Sequence, residues 1–295
     1  MGDKSITMRV VSWNVGRRGA SVLNALKKVM GQSWPPHVIT LQEVMCKQHD
    51  AFTKRLGDMG FECHPGRACS RSYGNLIASR WRLDQVEVPY SSQKPAGLEP
   101  LVQGRVWVNG RSFLVISVHI PNGSRYGWRK IDMFDSLKRA VQKARGGPLI
   151  VAGDLNEPRY TPLQNGRIVT WGEWWDSHQG RFITSSEIWR DRRGRRGTYK
   201  KWDTAVRWLF EPRNKHGLTH AYWERPHEPG AMAVSHLTHG GKRAEQARWF
   251  DHMFVSSDFR VAQCEYIHKL RGPGRSDHSD HSALSATLIF GPRAG

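Results

Sequence analysis

Residues 148–156 read PLIVAGDLN, an apolar run followed directly by an aspartate and an asparagine. The run has the length and composition of a buried strand, and the polar side chains come where that strand ends. Functional groups are often presented at such positions, on loops held by a rigid scaffold. Five further polar motifs sit at the ends of predicted strands. SWN at 12–14, LQE at 41–43 and SVH at 117–119 end a strand in the same way, whereas FDH at 250–252 begins one and SDHS at 279–282 precedes one.

Together these motifs supply amide, carboxylate and imidazole groups in the numbers that metal-assisted phosphoester hydrolysis requires. Any one of them alone is weak evidence, because a single Asp or His after a strand is more often a turn or cap residue. Their combination therefore predicts a polar site built from several strand ends.

Hydrophobic periodicity alternates along the chain between strand-like and helix-like segments. The Asn109-Gly110 pair between two predicted strands is a strong hairpin signal. Hairpins mixed with helical crossovers favour two packed sheets with helices outside. The sequence shows no repeats and no clear linkers, which indicates a single domain that spans residues 1–295. Strands are predicted at 8–13, 37–42, 74–79, 85–89, 101–108, 112–118, 148–153, 250–256, 261–267 and 283–290, and helices at 20–31, 50–59 and 127–144.

The chain of 295 residues has 45 Lys and Arg against 26 Asp and Glu, a net charge of +19. A strongly basic protein usually meets a polyanion, either nucleic acid or an anionic membrane surface. The sequence has no run of about 18 apolar residues, so no membrane span is predicted. Without an apolar N-terminal stretch, a cytoplasmic or nucleoid location is favoured over secretion, although a processed secreted form stays open. The expected partner is nucleic acid, DNA above all, and no obligate protein partner is indicated.

Residues 165–216 differ from the rest of the chain and are predicted to form a basic insertion. Six of the thirteen tryptophans lie between Trp171 and Trp208, and residues 190–207 contain eight basic and two acidic side chains. Arginines interleaved with aromatic rings suit phosphate contact and base stacking, although tryptophans that merely pack on the body are an equally good interpretation. The arginines predicted to bind substrate are Arg192, Arg193, Arg195 and Arg196.

The ordered set of WN, QE, GDLN and SDH motifs resembles the endonuclease/exonuclease/phosphatase superfamily, the deoxyribonuclease-I-like fold, over about residues 8–290. The resemblance implies a four-layer α/β sandwich of two mixed sheets flanked by helices. It also implies a Mg²⁺- or Mn²⁺-dependent hydrolase, with Glu43 as the principal metal carboxylate, Asn14 beside it and Asp280 completing the site. Hard divalent cations prefer such oxygen ligands and keep several waters.

The resemblance further implies the catalytic groups. Asp154 would position or deprotonate the attacking water, and Asn156 would hold that water or a phosphate oxygen. His281 would pair with Asp251, and His119 would donate to the phosphate or to the leaving oxygen. Whether Asp154 or the Asp251–His281 pair is the general base stays open at the level of sequence.

Some positions depart from the family pattern. Gly16 and His119 stand where abasic-site endonucleases of the superfamily usually place an acid and a tyrosine, while Pro121-Asn122-Gly123 is closer to that branch. Arg105 is predicted to reach a substrate phosphate. His236 and His239 have metal-ligand spacing but no obvious third ligand, so a structural or surface role is predicted for them.

Residues 276–282 read SDHSDHS, so the catalytic pair could be Asp277-His278 or Asp280-His281. The second copy is predicted to be the catalytic one because a strand begins two residues later and because the family places its histidine just before the last strand.

The predicted function is a metal-dependent nuclease, most simply a DNA endonuclease. The alternatives are a phosphatase or phospholipase of the inositol-phosphate or sphingomyelin type, and an inactive nucleic-acid-binding protein.

Overall fold

The computed structural model describes residues 5–31, 35–66, 73–88, 101–122, 127–157, 160–162, 168–170, 173–176, 181–184, 200–211, 216–226, 234–237, 247–272 and 278–291. Its helices are α1 (Val22–Met30), α2 (His49–Asp58), α3 (Gly127–Lys143) and α4 (Lys200–Phe210), with short 3₁₀ turns at Cys46–Gln48, Ala221–Glu224 and His268–Leu270. The strands in the first half of the chain are β1 (Ile6–Asn14), β2 (Val38–Met45), β3 (Glu62–Pro65), β4 (Tyr73–Ser79), β5 (Leu83–Val86), β6 (Val102–Val108), β7 (Arg111–His119) and β8 (Leu149–Asp154). The remaining strands are β9 (Tyr160–Pro162), β10 (Ile168–Thr170), β11 (Glu173–Asp176), β12 (Arg181–Thr184), β13 (Leu218–His220), β14 (His236–Leu237), β15 (Ala247–Arg248), β16 (Asp251–Ser256), β17 (Phe259–Ile267) and β18 (Ala283–Phe290).

Two six-stranded mixed sheets form the centre of the fold. The first has the order β17-β18-β1-β2-β4-β3 and the second β13-β16-β8-β7-β6-β5. Within them β1 and β2 are parallel, as are β7 and β8, whereas the other neighbours are antiparallel. The carboxyl ends of β1 and β2 therefore share one edge of the first sheet, and those of β7 and β8 share one edge of the second.

Three apolar clusters separate the four layers. The inner faces of the two sheets bury a common core that includes Met8, Ile77, Phe113 and Leu288. Helices α1 and α2 cover the outer face of the first sheet, and α3 and α4 cover the outer face of the second. This arrangement confirms the predicted four-layer α/β sandwich.

The hairpin predicted at Asn109-Gly110 joins β6 to β7. Both residues have positive φ, 49° and 75°, as a two-residue type I′ turn requires. Strand β3 was not predicted from the sequence, because its ECHP segment has little apolar pattern and lies at a sheet edge. Among the described residues, no helix is both long and apolar enough to cross a membrane.

Helix α4 lies inside the segment that the sequence indicates as an insertion. Trp202, Val206 and Leu209 are buried against the helix α3 side of the second sheet, so the described end of this segment is part of the core. For Trp202 and the partly buried Trp208 the packing interpretation is therefore the right one. The predicted substrate arginines at 192, 193, 195 and 196 lie outside the described residues.

Candidate active site

The candidate active site lies where the carboxyl ends of β1, β2, β7 and β8 meet. Gln42 joins the two sheets beneath it, because its buried Nε2 donates to Ser117 Oγ at 3.1 Å. The pairing of β2 with β4 shifts register between Leu41 and Val44, and Glu43 in that interval has φ of 55°. Such a bulge re-aims a side chain, and the left-handed backbone is a costly conformation that concentrates at functional sites.

Glu43 sits at the mouth of the site, with 17% of its side chain exposed. One carboxylate oxygen accepts from Arg17 Nε at 2.9 Å, and the other lies 3.5 Å from the amide nitrogen of Asn14. The Arg17 guanidinium also covers the Tyr73 ring at 4.4 Å. The metal ligands predicted at Asn14 and Glu43 are therefore adjacent, and Arg17 is a neighbour that the sequence did not reveal.

Asp154 is the buried centre of the constellation. Its Oδ2 accepts from Asn14 Nδ2 at 2.8 Å and from Asn156 Nδ2 at 3.2 Å, while its Oδ1 accepts from the Asn156 backbone N–H at 2.7 Å. Burial raises the pKa of Asp154 to about 6, and nearby His281 opposes the rise. A carboxylate so held can accept a proton near neutral pH.

The GDLN motif adopts its conformation because Gly153 lacks a side chain. Its φ is 151°, and a Cβ at this position would lie 1.8 Å from the carbonyl oxygen of Val118 on the neighbouring strand. Asn156 follows with φ of 47°, and its side-chain amide also donates to Ile120 O at 3.1 Å. The motif thus fixes Asp154 and Asn156 through backbone geometry.

Asp251 and His281 form the predicted pair. Asp251 Oδ2 and His281 Nδ1 are 2.8 Å apart, and both side chains are buried. Burial alone would lower the pKa of His281, but the Asp251 carboxylate outweighs it and raises that pKa to about 10. His281 is therefore a cation at neutral pH, and its Nε2 lies 3.9 Å from Asp154 Oδ2.

His119 lies between Glu43 and Asp154. Its Nε2 is 3.7 Å from Glu43 Oε1, 3.7 Å from Asp154 Oδ2 and 3.3 Å from Asn156 Nδ2. The side chain is buried, and its ring packs beside Tyr73. It can therefore donate to a group bound between Glu43 and Asp154.

Asp280 faces a different neighbour from the one expected. Its Oδ2 lies 3.5 Å from His236 Nε2, and its Oδ1 occupies the space where a Cβ on Gly16 would fall, 2.8 Å away. The absence of a side chain at Gly16 therefore leaves room for Asp280. Among the described residues, no cluster of three close ligand atoms joins Asp280 to Glu43.

The structure does not bring Arg105 to this site. Arg105 lies within β6, opposite Leu114, and donates to Ser112 Oγ at 3.4 Å. Leu114 precedes His119 by five residues along β7, which is roughly 17 Å of extended chain. The guanidinium of Arg105 is thus used within its own sheet.

Two further features were not predicted from the sequence. A buried ion pair of Lys130 and Glu157 supports Asn156 from below, with Trp202 donating to the same carboxylate. His236, predicted to be structural or on the surface, lies against both Asp280 and His281. Sequence spacing could not reveal either contact, because the partners come from separate elements.

The charges of the described site favour a cation. Its ion pairs involve four carboxylates, Glu43, Asp154, Asp251 and Asp280, and the two cations Arg17 and His281. Oxygen donors in excess negative charge are what a hard divalent ion such as Mg²⁺ or Mn²⁺ requires. Glu43 could hold such an ion near Asp154. Asn14 directs its amide N–H groups at both carboxylates, and its Oδ1 accepts from the Gly16 N–H at 2.9 Å, so it orients the two acids from beside the ion.

The chain matches the model of the Endonuclease/Exonuclease/phosphatase family over residues 11–278 and belongs to that family, a class of phosphate-ester hydrolases. No curated protein matches the chain. Three similar solved structures share the fold at low identity. The 3′ phosphatase NExo from Neisseria, bound to a product DNA hairpin, is 19% identical with a TM-score of 0.65, covering 95% of this chain and 98% of its own. An AP endonuclease from Archaeoglobus fulgidus is 16% identical with a TM-score of 0.64 and the same two coverages. TDP2 from D. rerio, complexed with a single-strand DNA product, is 15% identical with a TM-score of 0.58, covering 96% and 98%.

Proposed function

We propose that this chain is a Mg²⁺- or Mn²⁺-dependent nuclease that hydrolyses phosphodiester bonds within DNA. The observation that carries the proposal is the convergence from both sheets of one cluster of polar side chains, Glu43, Asn14, His119, Asp154 and the Asp251–His281 pair. The net charge of +19 favours a polyanionic substrate. Similar structures are described as bound to DNA products, which supports the same substrate class.

The contacts of each group support a separate role. Glu43 would hold a divalent cation, which would neutralise phosphate charge, and Asn14 beside it would orient Glu43 and Asp154 through its amide N–H groups. Asp154 orients the attacking water and takes its proton, since its pKa of about 6 suits a base near neutral pH. Asn156 holds a phosphate oxygen or that water.

His281 is assigned to charge stabilisation rather than to proton abstraction. Its pKa of about 10 keeps the ring protonated, and Asp251 fixes its orientation through Nδ1. The charged ring can stabilise the negative charge that grows on phosphate in the transition state. His119, whose Nε2 lies 3.7 Å from the same Asp154 oxygen, can donate to the leaving oxygen. This division of roles makes Asp154 the general base.

One set of assays tests the proposal. Purified protein is incubated with Mg²⁺ or Mn²⁺ and with plasmid, single-stranded DNA, RNA, a 3′-phosphorylated oligonucleotide and sphingomyelin, and Asp154→Asn serves as the inactive control. Nicking of plasmid that needs the metal and disappears in the control is the expected result. Hydrolysis confined to the terminal phosphate would make the chain a phosphatase, and hydrolysis confined to sphingomyelin a phospholipase. If the protein binds DNA but turns over none of the substrates, it is a catalytically inactive nucleic-acid-binding protein.

The basic run at 190–207 is proposed to bind substrate phosphates. Each phosphate contact on duplex DNA contributes a slope of about −0.9 to the dependence of log K on log salt, so losing four contacts should flatten it by roughly 3 to 4 units. Cleavage of a small phosphodiester should hardly change, and an unaltered salt slope would assign the run to a solvated surface. The variant replaces Arg192, Arg193, Arg195 and Arg196 with Ser.

A further inference from the structure

His236, Asp280 and His281 form a second cluster of ligand atoms beside the proposed catalytic groups. Each residue offers one donor atom, and the three donors lie within 4.8 Å of one another. His236 and His281 pair through an isolated β-bridge, which holds their backbones side by side. Their rings are 4.6 Å apart between centroids and inclined at 53°, so they are not stacked face to face. The two imidazoles can therefore direct nitrogen atoms towards a common point beside Asp280.

The separation of the donors is close to that of zinc ligands. His236 Nε2 and Asp280 Oδ2 are 3.5 Å apart, long for a hydrogen bond. Two ligand atoms at 2.0–2.1 Å from a tetrahedral zinc ion lie about 3.4 Å from each other. This pair thus needs little rearrangement to share one ion.

His281 already has the supporting partner that metal-bound histidines need. Its Nδ1 is held by the Asp251 carboxylate at 2.8 Å, which leaves Nε2 as the ring nitrogen on which a metal can replace the proton. A histidine whose second nitrogen donates to a carboxylate is the usual arrangement at zinc sites, because the carboxylate fixes the ring and increases its basicity. Because 39% of the Asp280 side chain is exposed, a metal ion can reach the three ligands from solvent.

We propose that His236, Asp280 and His281 bind a transition-metal ion of the zinc class, and that the bound ion inhibits phosphoester hydrolysis. Two imidazoles and one carboxylate select a borderline ion such as Zn²⁺ over Mg²⁺, which prefers oxygen ligands alone. Binding replaces the Nε2 proton of His281 by the metal and releases that proton. The ring then cannot contact the substrate phosphate. The inhibitory part rests on the proposed function, whereas the binding part does not.

The binding test uses the full chain, stripped of metals with a chelator and then saturated with Mg²⁺. Zn²⁺ is titrated by calorimetry, and Co²⁺ is titrated as a spectroscopic probe whose visible absorption reports nitrogen ligation and coordination number. The variants are His236→Gln and Asp280→Asn, with thermal melting to confirm that each folds. The control is His64→Gln, since His64 lies on edge strand β3 of the first sheet.

Wild type and His64→Gln should bind one more equivalent of Zn²⁺ than either test variant at a given concentration. Affinity at this site should fall by more than about 100-fold in the variants, because losing even a hydrogen-bonded partner of a ligand costs 10- to 100-fold. Equal stoichiometry and affinity in His236→Gln, Asp280→Asn and wild type would overturn the proposal.

Inhibition is measured on plasmid at saturating Mg²⁺, as a fraction of each protein's own zinc-free rate. The Zn²⁺ concentration that halves this rate should rise by more than about tenfold in His236→Gln and should not change in His64→Gln. The protein could bind zinc through His236 and yet hydrolyse none of the substrates. That result would refute the proposed function but not the metal site. Zinc binding that needs His236 but does not slow hydrolysis would refute the inhibitory role alone.

Discussion

The buried ion pair beneath Asn156 allows a quantitative prediction. The Lys130 and Glu157 side chains are 0% and 1% exposed, and Lys130 Nζ lies 2.7 Å from Glu157 Oε2. The same carboxylate oxygen accepts from Trp202 Nε1 at 3.0 Å, and Lys130 also donates to the backbone oxygen of Asn156. Removing one charge leaves the other buried without its counter-ion, which costs about 3–5 kcal/mol. Lys130→Met and Glu157→Gln are therefore each expected to lower the free energy of unfolding by that amount.

The double variant separates the pair from its surroundings. Lys130→Met combined with Glu157→Gln removes both charges of this pair and keeps an acceptor for Trp202, so it should lose no more stability than either single variant. Urea unfolding of all four proteins gives the coupling energy, which we expect to be about 3 kcal/mol. The double variant should still turn over more slowly than wild type, since Asn156 loses the lysine that fixes its left-handed backbone. Additive losses, or single losses below about 1 kcal/mol, would contradict the argument.

Three further predictions concern the site and its surroundings. Glu43→Gln should keep its melting temperature but need more Mg²⁺ and turn over more slowly, and identical metal titrations would remove Glu43 from the metal site. His281→Ala should lower turnover by about 10²–10⁴-fold while His278→Ala costs little, and steady-state kinetics at saturating metal would expose the reverse order. His252 is fully buried, which lowers its pKa to about 4, so the unfolded chain binds a proton that the folded chain excludes. The free energy of unfolding should therefore fall as pH drops from about 6.5 towards 4, by about 1.4 kcal/mol per unit, and in His252→Gln this part of the pH dependence should be missing.

The sequence by itself determined the elements whose evidence is local. Short apolar runs predicted β1, β7 and β18, and Asn109-Gly110 predicted a turn whose positive φ values follow from the residues themselves. The polar motifs at strand ends marked the site, because a side chain that follows a buried strand must lie at the edge of its sheet. Edge strand β3 was not predicted, because a strand at an exposed sheet edge needs no apolar pattern.

Only the tertiary structure decided which of these polar groups meet. The contact between Trp13 Nε1 and His281 O spans 268 positions, and Lys130 meets Glu157 and Trp202 from three separate elements. Periodicity reports which face of an element is buried, whereas contacts between distant residues depend on sheet order, register and bulges that no local pattern encodes. Arg105 shows the consequence, since its residue type suited phosphate but its register placed it about five residues from the site along its sheet. His236 shows the opposite case: its sequence neighbours gave no third ligand, and the fold supplied Asp280 and His281 from the far end of the chain.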